Sequence, residues 1–454
     1  MKFRRFFGPL VMVTSIGVLL RLPRVFNRWD EWALHYAGYL NQAVASLQAG
    51  DIGSLFSAWT GLHPPLYSMV HAVLNQIWPA PMLWLSFAAL CSALAVFLVG
   101  HQRAPAAWIG ALCLATDPIQ VHYAAEINNY PMMVAWIALA WWGADRGDWR
   151  IIALAGAGGA WTHAMAGVAI GLLGLTRPNR LKILTSMLVV CAPLAFAGFE
   201  LGLEAGNRNQ PPLHVQASVL DALSRFGPFF LVLLPVLIRG CCRRVDIAVV
   251  WGGTLLFWAG SVVMGIAAPH QFPYALALGV PAVMAIVAGC DRTALVRLVV
   301  AVCLCRAIWI VHGESNAAHA IWKDQHQIRG IDRAIALSAP GDAIVLIRGL
   351  SEQDDDKRHT SPVLWRISPW EAMPAINVPS PTHRQGQPRS WRDRAIYTFD
   401  EPRSAVGSIP EARVFTVLYD SAAMNPERVP DHPRQDNWQP IGPDLLRIPT
   451  ELKH

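Results

Sequence analysis

Long apolar runs, separated by short clusters of charged residues, glycine and proline, fill the first 312 positions of the chain. Runs suited to crossing a bilayer lie at about 6–22, 82–100, 105–121, 130–144, 183–202, 226–239, 245–267, 272–290 and 294–312. The run 151–175 is broken near its middle by Trp161-Thr162-His163. Arg146 and Arg150 precede it, and Arg177, Arg180 and Lys182 follow it. Basic flanks face the cytoplasm, so an even number of crossings must lie between these two. Two short spans, 151–161 and 164–175, satisfy that condition. The pattern therefore predicts eleven transmembrane helices, with the N-terminus in the cytoplasm and everything after residue 312 outside it. The other inner loops agree, carrying Arg103, then Arg239, Arg243 and Arg244, then Arg292 and Arg297. The apolar run after Met1-Lys-Phe-Arg-Arg ends in Arg21 without a small-x-small cleavage site, so it reads as a retained first span.

Two stretches depart from this pattern. Residues 23–81 form the longest non-spanning segment before the tail, and 32–48 and 66–78 within it read as amphipathic helices lying along the outer interface, broken around Gly50, Asp51 and Gly53. A long ordered loop of this kind is usually functional. After residue 312 short strand-like runs appear at Ala343–Ile347, Ala395–Phe399 and Val414–Tyr419, with a helix over about 321–338 before the first. The expected fold is thus an all-α polytopic membrane module, 1–312, followed by a small extracytoplasmic soluble α/β domain, 313–454.

Composition sharpens this division. Hydrophobic residues make up 54% of the chain and charged residues 15%, with 19 Trp, whereas a soluble domain carries about 25% charged residues. Residues 1–312 hold 20 Lys/Arg and 12 Asp/Glu; the tail, less than half as long, holds the other 17 and 19. The first part cannot cover a globule of its size with polar surface. The excess behind the formal charge of +6 resides at loops facing lipid headgroups, so it says little about nucleic acid, and no nucleic-acid partner is expected. Eight cysteines fall in apolar runs or basic loops and form no disulfide framework. Asp354-Asp355-Asp356 beside Lys357-Arg358 reads as a solvated charge run in the tail.

Candidate chemistry collects on the outer face. Asp30-Glu31, just beyond the first span, supplies either a general base held ionised by nearby cations or a solvated helix N-terminus. His35 lies four residues after Glu31, on the same face of a helix. His63-Pro64-Pro65-Leu66-Tyr67 makes a rigid start to the second interfacial helix. The next outer loop runs from Asp117 through Glu126 and Asn128 to Tyr130, and His163 and the His270-Gln271 turn fall at the same level. Ionisable groups at such depth are expensive and usually functional, although a single histidine there is more often a hydrogen-bonded structural residue. Arg21, Arg24 and Arg28 lie on the outer side of the first span. They either snorkel to the headgroups or form a cationic site for an anionic ligand.

In order and spacing these motifs resemble the GT-C glycosyltransferases over roughly residues 1–290, specifically the family-39-like enzymes that include protein O-mannosyltransferases and the aminoarabinose transferase of lipid A. Asp30-Glu31, His63-Pro-Pro-Leu-Tyr67, Asp117-Pro118 with Glu126-x-Asn128-x-Tyr130, the Thr162-His163 break and Phe272-Pro-Tyr274 carry the resemblance. It implies inverting transfer of a sugar from a polyprenyl-phosphate donor to a lipid, glycan or protein acceptor at the outer face of a bacterial inner membrane, with Asp30 as the base. Asn128 and Gln271 stand where relatives carry arginine, leaving Arg24, Arg28, His163 and His270 to face a lipid phosphate. The chemistry asks for no cofactor. Glu31, His35, His63 and His163 carry donor types that a divalent metal ion accepts, and no metal is assigned. The competing classes are a secondary transporter, which usually shows internal repeats and midplane charges, and a non-catalytic subunit of an envelope assembly. No repeat is visible, and the acids gather at one membrane face.

Overall fold

The computed structural model describes residues 10–21, 64–77, 81–124, 128–205, 231–263 and 276–312, the strands of the tail and a few isolated positions. The chain divides into two compact units, a helical one ending at Glu314 and a second that takes in Ser315–His454.

The described helices of the first unit are α1 (Leu10–Arg21), α2 (Leu66–Ile77), α3 (Pro81–Gly100), α4 (Ala107–Ala115), α5 (Pro118–Tyr123), α6 (Tyr130–Arg146), α7 (Trp149–Ala160), α8 (Ala164–Leu175), α9 (Arg180–Ala205), α10 (231–243), α11 (Val245–Val263), α12 (Gly279–Gly289) and α13 (Thr293–His312). Each apolar run of the sequence is helical over most of its described part. The predicted run 105–121 is not one helix but two, because Asp117 precedes a proline and is held extended at φ −70°, ψ 119°. Its carboxylate then caps α5, accepting from the backbone N–H of Ile119 at 2.9 Å and of Gln120 at 3.1 Å. Asp148 caps α7 in the same way through the N–H of Arg150. Gly147, at φ 71°, ends α6 in the left-handed conformation that a side chain would resist.

Small residues let these helices approach closely. α3 packs on α6, α6 on α7, and α8 on both α7 and α11, around a core that includes Ile109, Leu114, Met133, Ile137, Ile170 and Leu173. Large apolar side chains also point away from that core: Leu90, Leu188, Leu256 and Ile308 are 66–74% exposed. Among the described residues α13 alone combines the length and composition of a complete membrane span, with 20 residues and a mean hydropathy of 2.3.

In the second unit six strands form one sheet: β1 (Ala343–Ile347), β2 (Arg389–Trp391), β3 (Arg394–Phe399), β4 (Val414–Leu418), β5 (Gln439–Gly442) and β6 (Leu445–Ile448), in the order β2-β3-β1-β4-β6-β5. The hydrophobic β1 sits at the centre, parallel to β3 and β4, and the outer pairings are antiparallel. The three strand runs read from the sequence are β1, β3 and β4. The expected helices at 32–48 and 321–338 lie outside the described residues.

Candidate active site

One end of the helical unit gathers polar groups from three segments separate in sequence. The turn Trp161-Thr162-His163 joins α7 to α8, and its buried carbonyls and side chains act as a hub. Asn129, at the start of α6, donates from Nδ2 to the Thr162 carbonyl at 2.7 Å. Trp136 donates from Nε1 to Thr162 Oγ1 at 3.0 Å, and that hydroxyl donates in turn to the Gly158 carbonyl at 2.7 Å. Leu66, the first residue of α2, donates its N–H to the Trp161 carbonyl at 3.0 Å. Prolines 64 and 65, both buried, bring the chain to that bond. Asn128 accepts the Tyr130 N–H on Oδ1 at 3.0 Å, which fixes the first turn of α6.

His163 has an extended backbone and caps α8, its Nδ1 accepting the Met165 N–H at 3.2 Å. In this arrangement the side chain serves as the cap of α8. The ring is 3% exposed and stands 5.8 Å from that of Tyr130, which meets Tyr123 edge-on at 5.7 Å. These aromatics tie α5, α6 and α8 together.

Two buried arginines flank this region. Arg21 does not snorkel: it is 1% exposed and lies inside the bundle. Its Nε donates to Ser92 Oγ at 2.8 Å, and its terminal nitrogens donate to the carbonyls of Gly17, Leu114 and Ala115 at 2.8–3.4 Å. Leu114 and Ala115 close α4, so the guanidinium satisfies the orphan carbonyls and the negative end of that helix together. Arg306, on α13, has a side chain only 8% exposed and lies 3.9 Å from Asp117 Oδ2. On α2, Tyr67 and His71 are fully buried with ring centroids 4.5 Å apart, and Phe87 lies 5.0 Å from His71. Burial pushes the His71 imidazole down to about 3.

Of the residues singled out from the sequence, Asp117, Asn128, Tyr130 and His163 are described, and the last three belong to one hydrogen-bonded and stacked group. Asp117 instead caps α5 and faces Arg306. Arg24, Arg28, Asp30, Glu31, His35, His63, Glu126, His270 and Gln271 lie outside the described residues. Among the described residues no group of three His, Cys, Asp or Glu could hold a metal ion; three of the four residues considered for one are not among them. Asn129, His71 and Arg306 were not legible as site neighbours. The i, i+4 spacing of Tyr67 and His71 was the one available signal for His71.

No model of a known protein family matches the chain, and no curated protein matches it. Among solved structures it is similar to ArnT from Cupriavidus metallidurans in the apo state, with a TM-score of 0.51, 13% sequence identity and coverage of 98% of each chain. At that identity the likeness is one of architecture: the chain shares the overall fold of ArnT.

Proposed function

We propose that the chain is a polytopic membrane glycosyltransferase that moves a sugar from a polyprenyl-phosphate donor to a lipid, glycan or protein acceptor at the outer face of a bacterial inner membrane. The carrying observation is the meeting of the Pro64-Pro65-Leu66, Asn128–Tyr130 and Thr162-His163 motifs at one end of a bundle with an ArnT-like fold. These are described parts of the motifs on which the sequence resemblance stands; Asp117-Pro118, also described, lies apart from them.

Helix lengths support the membrane setting. α7 and α8 have 12 residues each, about 18 Å of helix, against a hydrocarbon layer of about 30 Å. Measured from the basic loops, the turn between them would lie below the outer surface. Irregular backbone at that depth is tolerated only where protein or a water-filled cavity surrounds it, and Thr162 and His163 are buried. A polar floor sunk into the membrane suits a donor whose phosphate enters from the lipid. The exposed leucines on the outer helix faces suit lipid contact.

In the proposed reaction Asp30 takes the proton from an acceptor hydroxyl. The oxygen attacks the anomeric carbon from the face opposite the phosphate. The bond from carbon to phosphate oxygen breaks with its electron pair, releasing polyprenyl phosphate and inverting the centre. Glu31 orients the loop, and Arg24, Arg28 and His270 offset the charge of the leaving phosphate. His35, His63, Asp117, Glu126, Asn128, Tyr130, His163 and Gln271 position sugar and acceptor.

The test follows release of polyprenyl phosphate from synthetic lipid-linked sugars, with membrane lipid extract as acceptor. Asp30→Asn keeps the size of the side chain and removes its basicity, so the rate should fall about 10²–10⁴-fold. Glu31→Gln should cost less. Full activity in purified Asp30→Asn protein would eliminate Asp30 as the base.

A further inference from the structure

The buried stripe of α13 runs through Val299, Val302, Cys303, Arg306 and Ile310, while Leu304, Ile308 and Val311 on its other side are 60–70% exposed. Arg306 is the one charge on that stripe. We infer that it receives the phosphate of the lipid-linked sugar donor. The inference rests on the transfer proposed above, and it names for that phosphate a cation among the described residues.

A charge so placed is costly. Arg306 lies six residues before His312, the end of α13, about 9 Å along the helix. An ionisable side chain inside a membrane is expensive and by default functional. The Arg306 guanidinium makes no hydrogen bond among the described residues, and Asp117 Oδ2, at 3.9 Å, is an ion-pair partner beyond hydrogen-bond reach. Its Nε is enclosed, but the two terminal nitrogens keep accessible surface. Arg21 shows the contrast, since its guanidinium donates to Ser92 Oγ and to three carbonyls. Two open nitrogens in one guanidinium plane can donate to two phosphate oxygens together.

Charge and position agree. At the break between α4 and α5 the described residues bring two arginines, Arg21 and Arg306, to one carboxylate. That carboxylate, Asp117, already accepts on Oδ1 from the N–H groups of Ile119 and Gln120. An arriving anion therefore meets net positive charge. Asp117 opens α5, and Tyr123 at the far end of that six-residue helix meets Tyr130, whose ring stands 5.8 Å from that of His163. A phosphate on Arg306 is thus one short helix, about 9 Å, from the group assigned to the sugar. Depth favours the donor over other lipids. Headgroup phosphates lie outside the hydrocarbon layer, above the level of Arg306, whereas the donor's phosphate has to descend with its sugar to the sunken polar floor.

The full chain, purified in detergent, is titrated with polyprenyl phosphate, polyprenol and phosphatidylglycerol by native mass spectrometry, a readout that needs no turnover. Polyprenyl phosphate should bind at least ten-fold tighter than either of the others. Arg306→Gln should weaken its binding roughly ten- to a hundred-fold and leave polyprenol unchanged. Arg306→Lys, which keeps the charge without the fork, should fall between. Asp117→Asn keeps the cap of α5 and removes the competing carboxylate, so it should tighten polyprenyl phosphate several-fold. An arginine that merely ties α13 to α5 predicts otherwise: Arg306→Gln and Asp117→Asn would lower the unfolding temperature alike and leave lipid binding unmoved. That result, or equal binding of polyprenyl phosphate and phosphatidylglycerol, would overturn the assignment. Arg306-dependent binding of polyprenyl phosphate in a chain that transfers no sugar would uphold the site and strike the transfer; transfer with binding indifferent to Arg306 would strike the site alone.

Discussion

A histidine walled in by Tyr67 and Phe87 is held as a neutral group, because charging it would strand an imidazolium away from water. With its folded pKa lowered to about 3 by burial and an unfolded value near 6.5, His71 binds fewer protons folded than unfolded. Stability is therefore whole above about pH 6.5 and declines as pH falls toward 3. Between pH 8 and pH 5 the loss should be about 2 kcal/mol, the slope reaching roughly 1.4 kcal/mol per pH unit only below pH 6. Denaturant unfolding of wild type and His71→Phe in detergent, at pH 8 and at pH 5, isolates this term. The wild type should lose that much more than the variant, and parallel losses would remove His71 as the cause. Composition does not reveal such residues. Arg21 reads from the sequence as a cation at the membrane surface, yet it is buried because the carbonyls of Leu114 and Ala115, 93 and 94 positions away, offer its planar fork a better set of partners than headgroups do.

Between elements, a close approach of α10 and α12 depends on two glycines. A Cβ added to Gly240 on α10 would strike the Ala285 carbonyl of α12, and one added to Gly289 on α12 would strike the Val236 carbonyl of α10. The four positions form a reciprocal antiparallel pair, each glycine four residues from the partner position on its own helix. This is the small-xxx-small device by which membrane helices meet without a hydrophobic driving force. Gly240→Ala and Gly289→Ala should each destabilise the detergent-solubilised chain by about 1–3 kcal/mol, since backbone must move to admit the methyl group. Gly252, whose added Cβ would meet nothing within 4 Å, should tolerate the same change; equal behaviour of all three would show that α10 and α12 do not pack so tightly. At this scale the sequence was most legible, because apolar runs bounded by caps and prolines specify helices locally. It failed at Thr116-Asp117, where hydropathy continues across a break set by one carboxylate and the following proline.

Across the whole molecule the pairing of basic loops bears on topology independently of hydropathy. Loops assigned to the inner side are joined by ion pairs and hydrogen bonds: Arg103 to Asp145, Arg177 to Asp246, and Arg239 and Arg243 to Asp291. The loops carrying Leu66, Asn129 and Thr162 are joined at the other ends of the same helices. Five segments distant in sequence thus converge at one end and three at the other, as alternating crossings require. The arrangement was legible in outline from arginine positions alone, whereas the pairings were not, because each joins residues more than 30 positions apart. Nine of the thirteen singled-out site residues fall outside the described residues, so the sequence remains their only account. If α7 and α8 count as two crossings, the total is odd and the tail lies opposite the N-terminus. A periplasm-dependent phosphatase fused after residue 313 should then be active, and one fused after Gly147 inactive, with a cytoplasm-dependent reporter giving the inverse pattern. Activity of the cytoplasmic reporter after residue 313 would make the count even. The α7–α8 pair would still return to its own side, so the failure would lie with another segment, and the tail would be removed from the face where the sugar transfer is proposed.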